Sequence, residues 1–223
     1  MTFTRKATLA SALLPALTAI AYPQPAVIEI RGAPISIKVL AQSPADTTTE
    51  LQVICLFQSS AANTLHGSLT EIDEKLKGLL SRIRRPELFR GETGETILIA
   101  SPKESIGAKN LLIVGLGDPQ TFFPQRMQLV GAILYNEASH LGVMHPFFAP
   151  TIIDGGVKKF TTGEIAEQVI GGFLRAAATD KVLRDASAAT GRRILALTYL
   201  AGVANLNSTR EGIEKAIAAA ARK

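Results

Sequence analysis

From Leu51 onward the chain alternates between short apolar runs of strand length and longer segments of helical periodicity, and this order restricts the fold more than any other feature. The strand-like runs are Leu51–Phe57, Thr96–Ser101, Asn110–Gly115 and Arg193–Tyr199, with a further apolar extended segment inside Pro146–Asp154. Leu65, Leu69, Ile72, Leu76, Leu79 and Ile83 recur at spacings of three and four and predict one helix. Ser68 with Glu71, or Asn63, would start it, and Pro86 would stop it. A second helix is expected from Pro124 to Leu141, its inner stripe made of Met127, Val130, Ile133, Leu134, Ala138 and Leu141, with Gly142 at its end. Thr161 and Glu164 form a capping box for a third, with Ile165, Val169, Phe173 and Ala176 inward. Gly171 and Gly172 within it point to close backbone packing. Ser208 and Glu211 would cap a last helix that turns Ile213, Ala216, Ile217 and Ala220 to one side.

Only Pro102 to Lys109 separates two of the strand-like runs. A parallel crossover needs about a dozen residues, so these two strands, if neighbours, are antiparallel and the sheet is mixed. Nearer the start, Val27–Ile30 and Ile35–Val39 flank Arg31-Gly32-Ala33-Pro34 as a strand pair with a turn. The run Leu51–Phe57 is apolar on both faces, as in a strand covered on both sides. The expected fold class is α/β: a mixed, mostly parallel sheet between layers of helices, in one domain over 22–223.

With aromatic residues at 5% and no Trp, the core has to be built from Leu, Ile, Val and Ala. The formal charge is +5; two of the 24 basic residues and none of the 19 acidic ones lie in the first 21, leaving 22 against 19 in the rest. So small an excess is an ordinary solvated surface, and no nucleic-acid partner is expected. Residues 1–21 read as a secretory signal peptide: Arg5 and Lys6 precede an apolar or small-residue run from Ala7, and Ala19-Ile20-Ala21 satisfies the small-x-small cleavage rule. The run is shorter than the roughly 20 residues a spanning helix needs. An exported, periplasmic or extracellular protein without a membrane anchor after cleavage is therefore expected. The single cysteine, Cys55, lies in an apolar run and reads as buried and inert.

No catalytic set emerges. His66, His140 and His145 fit no metal-binding spacing, and no Gly-x-Ser-x-Gly elbow occurs. Neither metal nor cofactor is expected. The candidates for a ligand loop are Gly115 and Gly117 with Asp118, which follow a strand and precede a helix, and Gly155 and Gly156, which are followed by Lys158 and Lys159. Glycines at such turns let backbone N–H groups approach an anion. Plain turn glycines are the competing reading at both places, since neither string matches a full phosphate-binding motif.

The middle of the chain resembles the N-terminal domain of the leucyl (cytosol) aminopeptidase family. The resemblance rests on Val53-Ile54-Cys55-Leu56-Phe57, on Gly91-Glu92-Thr93-Gly94-Glu95-Thr96-Ile97-Leu98, and on Leu111-Leu112-Ile113-Val114-Gly115-Leu116-Gly117. It implies a macro-domain-like, three-layer fold. It also implies a non-catalytic binding or assembly domain without peptidase activity. In that family the metal ligands and catalytic arginine lie in a separate C-terminal domain, marked by an Asn-Thr-Asp-Ala-Glu-Gly-Arg string that Met1–Lys223 does not contain. As partners it implies a second copy of the chain or a separate aminopeptidase subunit. Related macro domains suggest the alternative of binding or hydrolysing a small phosphate-containing ligand. Their Asn-Ala-Ala-Asn segment is replaced here by Gln58-Ser59-Ser60-Ala61.

Overall fold

In the computed structural model, which describes residues 25–59, 64–85, 88–102 and 104–222, seven strands form one sheet. They are β1 (Val27–Ile30), β2 (Ser36–Ala41), β3 (Thr49–Leu56), β4 (Thr96–Ala100), β5 (Ala108–Gly115), β6 (Phe147–Ala149) and β7 (Ala196–Ala201), in the order β1-β2-β7-β6-β3-β5-β4. The five inner strands are parallel, and β1 and β4 are antiparallel edges. The short link before Lys109 thus does join antiparallel neighbours, with Leu98 opposite Leu112. The leader-like residues 1–21, Asn63 and Pro86 lie outside the described residues.

Helices cover both faces. α1 (Gly67–Lys75) and α2 (Leu79–Ile83) lie on one side, where Leu69, Ile72, Leu76 and Leu80 meet Ile54, Leu56, Leu111 and Ile113. On the other side are α3 (Met127–His140), α4 (Thr162–Asp185) and α5 (Leu206–Ala220), whose apolar stripes meet Val53, Cys55, Leu112, Val114 and Leu197. Alternate residues of β3 feed the two cores, which is why that strand is apolar from Leu51 onward save at one position. The polar exception, Gln52, is fully buried, and its amide is satisfied by Thr47 Oγ1 (3.0 Å) and the carbonyl of Val53 (3.1 Å).

Several local expectations need correction. The single helix over 65–83 is two helices, because Lys77 (φ 55°) and Gly78 (φ 74°) take left-handed conformations that end the first and open the second. Ser68 and Glu71 form no capping box: the N-cap is His66, and both side chains bond elsewhere. Ser208 and Glu211 do not cap the last helix either. A 3-10 turn at Val203–Asn205 starts it earlier, and the Ser208 hydroxyl instead accepts the N–H of Gly163 (3.0 Å), one of the orphan donors of α4. Leu141 and Ala220 are exposed, since each stands at a helix end beyond the packed surface. The last strand begins at Ala196 rather than Arg193. The Thr161–Glu164 capping box is present with both reciprocal bonds.

Tyr135 of α3 is buried against Phe173, ring centroids 5.2 Å apart, and donates to Asp180 Oδ2 of α4 (2.8 Å). Burial, followed by the bond to and charge of Asp180, pushes its phenol up to about 12. A phenol whose ionisation is suppressed only in the folded state supports the fold fully below its unfolded value near 10, and that support is lost as pH rises toward 12. Urea titrations from pH 9 to 12 should therefore show a steeper alkaline loss of stability for the native chain than for Tyr135→Phe.

Candidate functional site

The parallel strands all end at one edge of the sheet. β3 continues to β5 on one side and β6 continues to β7 on the other, so the chain direction switches between the adjacent strands β3 and β6. Ligands of open α/β sheets bind outside such carboxyl ends. A cleft of about 410 Å³ lies at this edge, walled by Ala41–Pro44 at the end of β2, Ala149–Asp154 at the end of β6 and Tyr199–Val203 at the end of β7. Ser68 and Glu71 of α1 close it on one side of the sheet, and Phe160, Thr162, Ile165 and Thr209 on the other.

The loop after β6 is held from several directions. Thr151 is buried with φ 49°, an uncommon conformation for a β-branched residue. Its hydroxyl accepts the N–H of Cys55 (3.0 Å) and donates to the same residue's carbonyl (2.7 Å). The side chain thereby continues the β6–β3 ladder two residues beyond the end of β6. Three residues on, the Asp154 carbonyl accepts the N–H of His66 (3.1 Å), and its carboxylate accepts the Ser68 hydroxyl at the first turn of α1. A Cβ on Gly67 would sit 2.5 Å from Asp154 Oδ1. The positive end of the α1 dipole thus faces a carboxylate supplied by the protein itself.

Three hydroxyls in this region have no partner among the described residues: Tyr199 Oη, Thr162 Oγ1 and Thr209 Oγ1. All three residues border the cleft, with the hydroxyl oxygens themselves buried behind its surface. Tyr199 is 1% exposed and Thr209 is fully buried. Burial pushes the Tyr199 phenol well above its ordinary range, so it is neutral and available as a donor. Among the described residues the charged groups in the wall are Glu71 and Asp154, and no Lys or Arg takes part. Lys159 is close by, stacked over the Phe160 ring at 5.0 Å.

None of the loop residues singled out in the sequence lines the cleft: Gly155 and Gly156 directly follow its Asp154, whereas Gly115, Gly117 and Asp118 lie at the end of β5. The N–H of Gly115 donates to Glu95 (2.7 Å) and that of Gly117 to Gly91 (2.7 Å). Those of Gly155 and Gly156 donate to Thr151 and Ile153, both at 2.9 Å. Asp118 Oδ1 accepts the N–H of Gln120 (2.9 Å). The lack of a side chain at Gly115 admits the Glu92 carbonyl, which would stand 2.1 Å from a Cβ. Arg126 clamps this loop by donating to the Leu116 carbonyl (2.6 Å). His140 and His145 are exposed, and among the described residues no three His, Cys, Asp or Glu side chains gather as a metal site would require. Cys55 is buried, which raises its thiol above the ordinary range and keeps it protonated.

Sequence reasoning missed Tyr199, Thr162 and Thr209. Each has an ordinary local reason to exist: a strand tyrosine, the residue after an N-cap, a helix threonine. The one available signal was position, since Tyr199 lies near the carboxyl end of a parallel strand.

Residues 53–187 match the N-terminal domain of the cytosol aminopeptidase family. A probable cytosol aminopeptidase of Paraburkholderia phymatum is 41% identical over 70 residues, which is 31% of this chain and 13% of that protein. One of Gloeothece citriformis is 29% identical over 143 residues, 61% of this chain and 27% of that protein. The chain thus spans between about an eighth and a quarter of these relatives. A mutant of tomato leucine aminopeptidase superposes with a TM-score of 0.59 at 18% identity, covering 85% of this chain and 37% of that one. A macrodomain of Oceanobacillus iheyensis with ADP superposes with a TM-score of 0.59 at 14% identity, covering 88% of this chain and all of that one. These two likenesses show the fold: macro-domain-like, with a mixed, mostly parallel sheet between helices.

Proposed function

Because the chain belongs to the cytosol aminopeptidase family through its N-terminal domain, we propose that it is a non-catalytic binding domain whose cleft at the ends of β2, β6 and β7 holds a small ligand. One observation carries this reading. A cleft of ligand size opens at the carboxyl ends of three parallel strands, with aliphatic residues and two carboxylates in its wall.

The test has two arms. Purified protein incubated with leucine amides plus manganese or zinc should give no metal-dependent turnover; turnover would sink the non-catalytic part. A fragment screen followed by amide NMR should shift resonances of Thr151–Asp154 and Gly202–Val203 with at least one fragment. A screen that leaves these resonances in place throughout would sink the binding part.

The likeness in fold to an ADP-bound macrodomain supports a second reading, a phosphate-containing ligand held at Gly115, Gly117, Asp118, Gly155 and Gly156. It requires the four glycine N–H groups to leave the carbonyls they now serve. Calorimetry with ADP and ADP-ribose separates it from the first. Pairing with a second copy or with a separate aminopeptidase subunit is the assembly counterpart of the binding role, and light scattering with and without the catalytic chain measures it. We also propose export, with cleavage after Ala21, which mass spectrometry of the mature protein would read as an N-terminus at Tyr22.

A further inference from the structure

We propose that the ligand of this cleft is a small aliphatic amine, bound as its ammonium ion. The inference rests on the reading that the cleft holds a small ligand and adds its chemical class. The walls supply aliphatic surface from Ile152, Ile165 and Leu200, and both charged groups among them are carboxylates. Ser43 Oγ donates to Glu71 Oε2 (2.7 Å), which orients this carboxylate; among the described residues nothing bonds its Oε1. Asp154, pinned by Ser68, adds a second negative charge and occupies the helix end where an anion would otherwise settle. A phosphate entering here would meet two carboxylates and no cation in the wall. An ammonium ion meets two carboxylates, whose oxygens accept its N–H donors. The binding is a proton-neutral association at pH 7, with no bond made or broken, because an aliphatic amine is already protonated there.

The experiment titrates the full chain, labelled for amide NMR, with n-hexylamine, with n-hexanol and with ADP. Hexylamine and hexanol share their body and differ in the head group, so their comparison isolates the charge. Hexylamine should shift the cleft resonances and bind about tenfold more tightly than hexanol, the ratio shrinking at high salt. Glu71→Gln, an exposed rim change that leaves the fold alone, should weaken hexylamine about threefold to tenfold and leave hexanol unaffected. Equal binding of hexylamine and hexanol, or indifference to Glu71→Gln, overturns the amine assignment. So does ADP binding in the cleft in place of hexylamine, although the ligand cleft itself then stands. If none of the three perturbs the cleft, the amine assignment is overturned, and the fragment screen described above decides separately whether the cleft holds a ligand at all.

Discussion

Gly172→Ala should lower the melting temperature by about 10 °C, while Gly171→Ala, one residue earlier in the same helix, should hold or raise it. The two glycines are indistinguishable in the sequence. In the fold, Gly172 faces α3: a Cβ there would stand 1.9 Å from the Gln128 carbonyl oxygen, a backbone atom that cannot swing aside. Gly131 of α3 faces back, with its Cβ position 1.9 Å from the Val169 carbonyl, so the two helices cross with their backbones nearly in contact. A methyl group at this crossing has to push the helices apart, which loosens the contact of Val130, Leu134 and Phe173 beneath it. About 3 kcal/mol is expected from overpacking in so rigid a place. Gly171 has nothing within 4 Å of its Cβ position. Alanine there gains helix propensity of up to about 1 kcal/mol without a clash. Thermal melts followed by circular dichroism check the pair. Similar losses at both positions would mean that the helix crossing is not as close as the structure has it.

Thr151→Val should be the second severe change, at about 2–4 kcal/mol, whereas Thr151→Ser should be nearly silent. Valine preserves the shape of threonine but removes the oxygen that serves both the N–H and the carbonyl of Cys55. Both groups are buried at the point where β6 has ended, and no strand residue is there to replace the hydroxyl. Serine keeps the oxygen and relieves the β-branch at positive φ. Hydrogen exchange gives a local readout: the Cys55 amide should exchange much faster in Thr151→Val and at the native rate in Thr151→Ser. Because Thr151 also lines the cleft, the valine variant should lose ligand binding before it loses its overall fold, as the loop from Thr151 to Asp154 drifts from its place.

Periodicity alone read the layers correctly. The apolar runs at Leu51–Phe57 and Asn110–Gly115 became central strands because a strand buried on both faces has to be apolar at nearly every position. The antiparallel edge β4 followed from chain length, since eight residues cannot carry a parallel crossover. The Thr161–Glu164 cap formed because both of its bonds are made within four residues. Wherever a local pattern had a distant competitor, however, it misled. Ser68 turned to Asp154 and Ser208 to Gly163, contacts that are 86 and 45 residues away in sequence and that no local rule weighs. The candidate loops were chosen for their glycines, but Gly115 and Gly155 admit a backbone carbonyl and a Phe57 ring edge, and the N–H groups of all four glycines are spent within the fold.

By itself, then, the sequence determined the class of fold, the order of its elements and the family it resembles, because these depend on spacing along the chain. Only the tertiary structure decided where a ligand has room. It brought Glu71, Asp154, Thr162, Tyr199 and Thr209 to one cleft from four helices and strands and a loop. The physical reason is that a binding site is defined by which polar groups are left without partners once all others have paired. That remainder exists only after the whole chain has folded.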